Sequence, residues 1–368
     1  MDFQNARASM IIEKICFHLS AKIAHSATII SMKLNSIRDI FSAFKELRIL
    51  VLGDSMIDTY IHGKIERNSP EAPIPVLIKS SVTKSPGGAA NVAINLKNIG
   101  VRATLCSVIG TDENGQILKQ LLGEDELQID GIFEDPSRPT TEKSRYVAGG
   151  KHLWRVDSES DLQIDGHLRK LILDFVIKSL PNIDAVIFQD YDKGIFSTEL
   201  VSALVPKCKA LNIPIIVDPK ERNFFFYKNV ALFKPNRREV EKALGRSINP
   251  TSGENLSETY RSLKYHLGFG SLLLTLSDHG ILAVNDTCHM QLSAEKIHIK
   301  DVSGAGDTVV SVAAACAALK LSLEITARLS NIAGGLVCEK SGVSAIDENE
   351  FLNAASIRLK GFIAPLAL

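Results

Sequence analysis

The sequence predicts an α/β protein: a mostly parallel sheet with helices on both faces, and a small β flap beside it. Three observations lead there. From residue 48 onward, short apolar runs alternate with segments of helical period, the pattern of strand–helix–strand crossovers. Each apolar run ends in polar or turn residues, and in such sheets function gathers at the carboxyl ends of the strands. Two stretches, 59–80 and 131–157, interrupt the alternation with β-like runs.

Taken in order, MKLNSIRDIFSAFKELRILVLGD, opening at Met32, reads as a helix feeding a first buried strand at 48–54 that ends in Gly-Asp. Residues 59–80 carry three prolines, and Ile74, Val76 and Ile78 alternate with Pro75 and Leu77. With 131–157 they are expected to form antiparallel flap strands with an apolar face, a surface that pairing into a homodimer would cover. ANVAINLKNIG (90–100) is a helix stopped by Gly100. ATLCSVIG (103–110) is a strand and GQILKQLL (115–122) a helix. DAVIFQD (184–190), IPIIVD (213–218), ALFKPN (231–236) and SLLLTL (271–276) are further strands, and VVSVAAACAALK (309–320) is a long, almost wholly apolar helix.

The first 31 residues differ in composition. Ile11, Ile15, Leu19 and Ile23 recur every four residues, which permits one amphipathic helix. Met32 is the expected natural start, with residues 1–31 outside the fold and 32–368 one domain. Glu13, Lys14, His18, Lys22 and His25 interrupt the most apolar part of this stretch, so neither a membrane span nor a secretory signal is expected.

The 368 residues are 45% hydrophobic and 23% charged, an ordinary globular composition. Lys plus Arg and Asp plus Glu both number 42. The balance gives no global attraction to nucleic acid or anionic membrane, so any phosphate must be held by a local site. None of the six cysteines has a partner at C-x-x-C spacing. They read as small buried hydrophobes of a cytoplasmic protein, with no zinc or redox motif.

DVSGAGDT (301–308) is the strongest chemical signal. Gly304, Ala305 and Gly306 let the chain turn into a helix and present free backbone N–H groups, which with the helix dipole make an anion site. Asp307 beside them could accept the proton of an attacking hydroxyl; it could equally be a simple N-cap. PGGAANVA (86–93) brings Gly88 close to a ligand and puts Asn91 in a first helical turn, able to donate to and accept from sugar hydroxyls. A Gly-rich turn with a capping Asn is the alternative. In GDSMID, Asp54 and Asp58 follow a strand end, suited to neighbouring hydroxyls or to solvent. In KPNRREVE (234–241), Asn236 and Glu239 could hold Mg²⁺ through waters and Arg237 and Arg238 could meet phosphates, or the string is a helix start. Lys193 of QDYDKG and Lys220 of VDPK stand at strand ends, as phosphate-binding charges or solvated lysines. There is no G-x-x-x-x-G-K-[ST], and no G-x-G-x-x-G follows the first strand, which removes a Walker NTPase and a Rossmann dehydrogenase.

Together these strings resemble the PfkB or ribokinase family of carbohydrate kinases over about residues 33–360. The likeness implies a ribokinase-like fold, ATP and Mg²⁺ as cofactors, and transfer of the γ-phosphate to a sugar hydroxyl. RNSPEAPIPV (67–76), SPGGAANVAINL (85–96), LWRVDSE (153–159), DYDKG (190–194) and DPK (218–220) look like the bacterial heptose 7-phosphate kinases within it, including the kinase half of bifunctional kinase–adenylyltransferases. Gln189 stands where that group usually has Ser, Asp192 where it often has Ala, and Ser303 where Thr is common.

Residue by residue, the resemblance makes Asp307 the base and Gly304, Ala305 and Gly306 the anion hole. Asp58, Gly88 and Asn91 would hold the sugar, and Asn236, Arg237, Arg238 and Glu239 would lie along the nucleotide and its Mg²⁺. Thr275, Gly280 and Asn331 would border the nucleotide. Asp301 and Ser344 match a monovalent-cation (K⁺) site. Arg67, Arg155, Lys193 and Lys220 would take the sugar's own phosphate, since four unpaired cations on one small site would repel each other without it. The expected substrate is D-glycero-D-manno-heptose 7-phosphate, phosphorylated at its anomeric hydroxyl toward ADP-heptose and lipopolysaccharide core. Nothing after residue 340 resembles the H-x-G-H signature of a nucleotidylyltransferase, so a separate adenylyltransferase is expected downstream. A kinase for another sugar and a non-catalytic sugar- or nucleotide-binding regulator are the alternatives; the intact Gly304-Ala305-Gly306 and Asp307 oppose the second.

Overall fold

A computed structural model describes the protein over residues 34–362. The amphipathic pattern at 11–23 and the expected start at Met32 lie outside the described residues. Helix α1 (Ile37–Phe44) is capped by Ser36, whose hydroxyl accepts from the Asp39 amide, and buries Ile37, Ile40, Phe41 and Phe44. It leads into β1 (Arg48–Gly53), the all-but-buried strand that the apolar run foretold.

After β1 come a long hairpin, β2 (Ser55–Asn68) and β3 (Pro75–Gly88), then α2 (Ala89–Asn98), β4 (Arg102–Ile109), α3 (Glu113–Glu124) and the short β5 (Ile132–Glu134). A second hairpin, β6 (Glu142–Ala148) and β7 (Lys151–Ser158), precedes α4 (Gly166–Ser179), β8 (Ala185–Gln189), α5 (Thr198–Ala210), β9 (Ile215–Asp218) and β10 (Leu232–Phe233). The chain continues through α6 (Arg237–Leu244), α7 (Gly253–Leu267), β11 (Ser271–Thr275), β12 (Ile281–Val284) and β13 (His289–Leu292). It closes with α8 (Ala305–Ala318), α9 (Leu323–Cys338) and α10 (Glu348–Arg358).

Nine strands form one sheet in the order β13-β12-β11-β10-β9-β8-β1-β4-β5. Pairing is parallel from β11 to β5, and β12 alone runs the other way, antiparallel to both β11 and β13. Alternation along β1 shows why both faces are covered. Ile49 and Val51 enter one apolar core, while Leu50 and Leu52 enter the other. Helix α8 is apolar all round because it is buried all round: it packs on α9, α2, β8 and β9, and every residue from Asp307 to Cys316 is buried. Cys106, Cys208 and Cys316 are fully buried, as their apolar settings suggested, whereas Cys288 and Cys338 are half-buried.

The flap is a four-stranded sheet, β3-β2-β6-β7. Two expectations need correction. Both hairpins are antiparallel, but β2 and β6 at the centre pair in parallel, because each hairpin returns to the main sheet on its own side. Residues 132–134 belong to the edge of the main sheet beside β4, not to the flap. The two flap faces differ sharply. Asp58, Tyr60, Arg145 and Arg155 occupy one, toward the site. By strand alternation Ile61, Val82, Tyr146, Trp154 and Val156 occupy the other. Val82, Trp154 and Val156 are 43%, 40% and 52% exposed, so this outer apolar face stands uncovered by the chain's own described residues.

Candidate active site

The apolar helix begins earlier than its sequence period suggested. Ala305 and Gly306 are already helical, and Gly304, at φ 84°, is the N-cap. A side chain at Gly304 would press on the Asn91 amide at 3.0 Å, so glycine is required both by the left-handed backbone and by the neighbour. The Ala305 amide bonds to the Val302 carbonyl and the Thr308 amide to that of Gly304. The Gly306 and Asp307 amides lie in the first turn, where a helix offers them no internal acceptor. Free amides at a helix start are the kind of group that anion sites use.

Asp307 is buried at that turn and held by three donors. Asn91 Nδ2 donates to Oδ2 at 2.8 Å; the Tyr191 hydroxyl and Gln189 Nε2 donate to Oδ1 at 2.8 and 3.1 Å. Burial pushes its carboxyl up to about 7, with the nearby Asp218 carboxylate adding to the shift and the hydrogen bonds and Lys234 opposing it. A carboxylate that titrates near neutrality is what a general base for a sugar hydroxyl needs. Asn91 is fixed in turn by Asn95, one helical turn on, whose amide donates to the Asn91 carbonyl at 2.8 Å while its oxygen accepts from Thr308 and from the Ile346 amide.

The carboxyl end of β8 contributes a tight loop. Asp54, at the end of β1, accepts from the Tyr191 and Lys193 amides at 2.8 and 3.2 Å. Burial, then the neighbouring Asp190, raises its carboxyl to about 7. Asp190 is held by Tyr227 and Asn223. Asp192 adopts φ 57° and accepts from the Arg222 amide, so it braces the 220s loop.

The proposed phosphate cations are brought together only in part, and they are not unpaired. Arg155 bonds to Asp157, Lys193 to Glu159 and Lys220 to Glu239, at 2.8, 2.9 and 2.6 Å. Mutual repulsion therefore does not demand a phosphate. Arg67 lies nine residues beyond Asp58 on β2, about 30 Å away at ordinary strand rise, and is exposed at the flap tip. Two unforeseen cations join the inner flap face instead. Lys143 bridges Asp157 and Glu159, each at 3.3 Å, and Arg145 pairs with Asp58. Arg145, Arg155, Lys143 and Lys193 are thus met there by Asp58, Asp157 and Glu159, with Asp301 near Arg145 as well.

Of the residues expected along a nucleotide, Asn236 and Glu239 form a capping box at the start of α6, the helix-start alternative of the sequence reading. Glu239 Oε2 accepts from the Asn236 amide and Oε1 from Lys220. Each oxygen keeps one lone pair, which suits a water of a hydrated ion better than the ion itself. Among the described residues no group of three or more His, Cys, Asp or Glu is placed to hold a metal directly. Arg237 faces Glu241 at 3.8 Å, and Arg238 is exposed. Asn236 bridges to Thr275. Gly280, at φ 83°, packs on Leu292 and Ala294, and Asn331 donates to the Ser293 carbonyl, so Gly280 and Asn331 meet the same 292–294 segment. Asp301 accepts from Tyr60 at 3.2 Å and from the Ser303 amide at 2.9 Å, and Ser344 bonds within its own turn. Their loops adjoin through Val343 and Gly304, but the two side chains do not bond to each other.

Several residues of this site were hidden in strings whose lysines drew attention first. Gln189, Tyr191, Asp218 and Lys234 all stand at strand ends already singled out. Lys234 pairs with Asp218 at 2.8 Å, both almost fully buried. The usable signal was a charged or amide side chain flanked by apolar strand on one side and a turn on the other.

Three comparisons bear on this arrangement. The pattern of the pfkB family of carbohydrate kinases matches residues 47–350. "Bifunctional protein HldE" of Pelobacter propionicus is 35% identical over 327 residues, 89% of this chain and 67% of that protein. The protein of that name in Acidiphilium cryptum is 36% identical over 319 residues, 86% of this chain and 65% of its own. The chain thus spans about two thirds of the length of these relatives. Among solved structures, Escherichia coli phosphofructokinase-2 in complex with substrates and products superposes with a TM-score of 0.71 at 18% identity, covering 84% of this chain and 99% of that one. The expected ribokinase-like architecture is borne out.

The buried Asp54 carboxyl has a consequence for stability. Its folded value, about 7, lies above the ordinary value of about 4. The folded state therefore holds a proton that the unfolded chain has lost, and this stabilisation is complete below pH ~4 and lost as pH rises through 7. Asp54→Asn is expected to show a shallower fall in Tm than the parent between pH 5 and 8, measured by calorimetry. An equal or steeper fall would remove Asp54 as the cause.

Proposed function

The chain belongs to the pfkB family of carbohydrate kinases, and from that premise we propose that it transfers the γ-phosphate of ATP to the anomeric hydroxyl of D-glycero-D-manno-heptose 7-phosphate. The observation that carries the reading is Asp307, set at the Gly304–Gly306 helix start, held by Asn91, Gln189 and Tyr191 and raised to about 7. The heptose strings and the likeness to the bifunctional relatives support the choice of sugar. The 1,7-bisphosphate so formed would pass to an adenylyltransferase activity toward ADP-heptose.

In this reading Asp58 and Asn91 orient the sugar, and Asp307 takes the proton of the reacting hydroxyl. The amides of the first α8 turn face the charge on the moving phosphoryl oxygens. The flap excludes water, so that the sugar and not solvent is phosphorylated. Asn236 and Glu239 would hold Mg²⁺ through its waters, and the ion would supply charge neutralisation at the nucleotide phosphates. Asp301 and Ser344 are the candidates for K⁺. Lys143, Lys193 and Arg155 are the groups for the sugar's 7-phosphate; their carboxylate partners keep them extended and ready to exchange one acceptor for another.

Asp307→Asn is expected to fold normally and lose about 10²–10⁴-fold in kcat, while the parent kcat/KM rises with pH through about 7 as the base deprotonates. A variant within a few-fold of the parent would overturn the assignment of the base. With heptose 7-phosphate and ATP, scored by ADP release, Lys193→Ala and Arg155→Ala are expected to raise KM for the phosphorylated sugar at least about tenfold, the scale of one charge-assisted hydrogen bond. They should leave the weak turnover of free heptose nearly unchanged. Equal efficiency of the free and phosphorylated sugar in the parent would sink the phosphate site and point to another sugar.

We also propose a homodimer that buries the outer flap face around Trp154, Val82 and Val156. Light scattering is expected to give the mass of two chains, falling to one in Val82→Glu/Val156→Glu. A single-chain mass for the parent at all concentrations rules this out.

A further inference from the structure

We propose that Tyr191 and Gln189 are positioning residues that saturate one oxygen of Asp307, Oδ1, so that the sugar's proton is delivered to the other, Oδ2; this rests on the kinase reading above. A carboxylate oxygen has two lone-pair positions. Oδ1 accepts from both the Tyr191 hydroxyl and Gln189 Nε2, at 2.8 and 3.1 Å. Oδ2 accepts from Asn91 alone, at 2.8 Å. The one vacant lone pair therefore lies on Oδ2, on the side where Asn91 is placed to meet the sugar.

Both donors are themselves locked. The Tyr191 amide bonds to Asp54 Oδ2 at 2.8 Å, and Lys220 Nζ sits 5.0 Å from the centre of its ring. The ring's other neighbour is Gly88, where an added Cβ would lie 3.5 Å from Tyr191 Cδ2. Burial and the surrounding carboxylates hold the phenol well above its usual value, so it remains an O–H donor throughout the working range. Gln189 Nε2 reaches Asp218 as well, at 3.3 Å, and Asp218 is paired with Lys234. Gln189 is the position where this chain departs from the Ser of the heptose kinases it resembles, and a Ser side chain is too short to span the same gap.

The transfer then has a defined direction. The anomeric O–H bond breaks and its proton goes to Asp307 Oδ2. The freed oxygen bonds to the γ-phosphorus as the bond from that phosphorus to ADP breaks, its electron pair staying on ADP. The charged and titratable groups around Asp307 are Asp218 from β9, Lys220 from the loop after it, Lys234 after β10 and Tyr191 after β8. Removing the Tyr191 hydroxyl takes a hydrogen bond from none of the others; removing the Gln189 amide also takes its 3.3 Å bond from Asp218, which stays paired with Lys234. Each donor favours the ionised carboxylate, so losing one must raise its titration point.

The test uses Tyr191→Phe and Gln189→Met, both close in volume to the native residues. In protein labelled with ¹³C at the Asp carboxyl, the Asp307 resonance is assigned by its loss in Asp307→Asn. Its titration midpoint is expected to rise by about half to one pH unit in each variant, the scale of one neutral hydrogen bond. The acid limb of kcat/KM with heptose 7-phosphate should move up by the same amount, with the high-pH plateau kept. A plateau that falls while both midpoints stay at the parent value means packing alone, and overturns the proposal. The titration needs no substrate: if the parent phosphorylates no sugar, the kinase reading fails on its own while the midpoints still decide what Tyr191 and Gln189 do to Asp307. Should Tyr191→Phe not fold, the midpoint in Gln189→Met decides the question alone.

Discussion

Burial of the Asp307 carboxylate at the first turn of α8 is the constraint on which the rest of the structure depends. An ionisable group without water is costly unless its lone pairs are met. Here Asn91, Gln189 and Tyr191 meet three of the four, Asn91 from the first turn of α2 and the other two from the end of β8. Those donors can converge only if α2, β8 and α8 are packed in fixed relation. The apolar core that takes Ile49 and Val51 supplies much of that relation: α8, buried from Asp307 to Cys316, packs within it beside α2. Stability and chemistry are in tension at this point. The environment that raises the carboxyl to about 7 makes it a useful base and, by the same physics, costs folding energy at neutral pH.

The second carboxylate at the site, Asp54, does a different kind of work. It touches backbone amides rather than side chains, and it fixes the loop that carries Tyr191 and Lys193. Its neighbour Asp190 anchors the same loop from below through Tyr227 and Asn223. The strand ends thus form a polar layer over the apolar sheet, in which one carboxylate holds the loop and another faces the ligand space. The nearest cations, Lys220 and Lys234, are each tied to a carboxylate as well. That pairing explains how so many charges share a small volume without mutual repulsion, which the residue strings alone made hard to foresee.

Much of the fold was legible because period and burial agree. The strands at 48–54, 103–110 and 271–276 and the helix before 320 were found where apolar runs of strand or helix length end in turns. Gly304 was legible for a stricter reason: only glycine suits that backbone angle against Asn91. What could not be read were long-range pairings. Nothing local tells that β2 and β6 lie parallel, that Lys193 faces Glu159, or that Arg67 travels away from the site along β2. Gln189 stood out only as a departure from the usual Ser and Tyr191 not at all, because an amide or phenol at a strand end has no distinctive period; its meaning appears only when Asp307, 118 and 116 residues away in sequence, is placed beside it.

Strand β2 leaves the core at Ser55 and reaches the exposed flap tip at Asn68, its pairing with β3 shifting register between His62 and Gly63 and again between Ile65 and Arg67. Asp58 sits near its root, and Tyr60 beside it is bound to Asp301, on the loop that leads into the α8 cap. Both shifts lie outward of Asp58 and Tyr60, so the bends of the strand fall between its root and its tip. The root, paired on both sides and tied to the Asp301 loop, is the stiffer part. The flap is therefore jointed to the sheet rather than rigid with it, and a displaced tip need not displace Asp58.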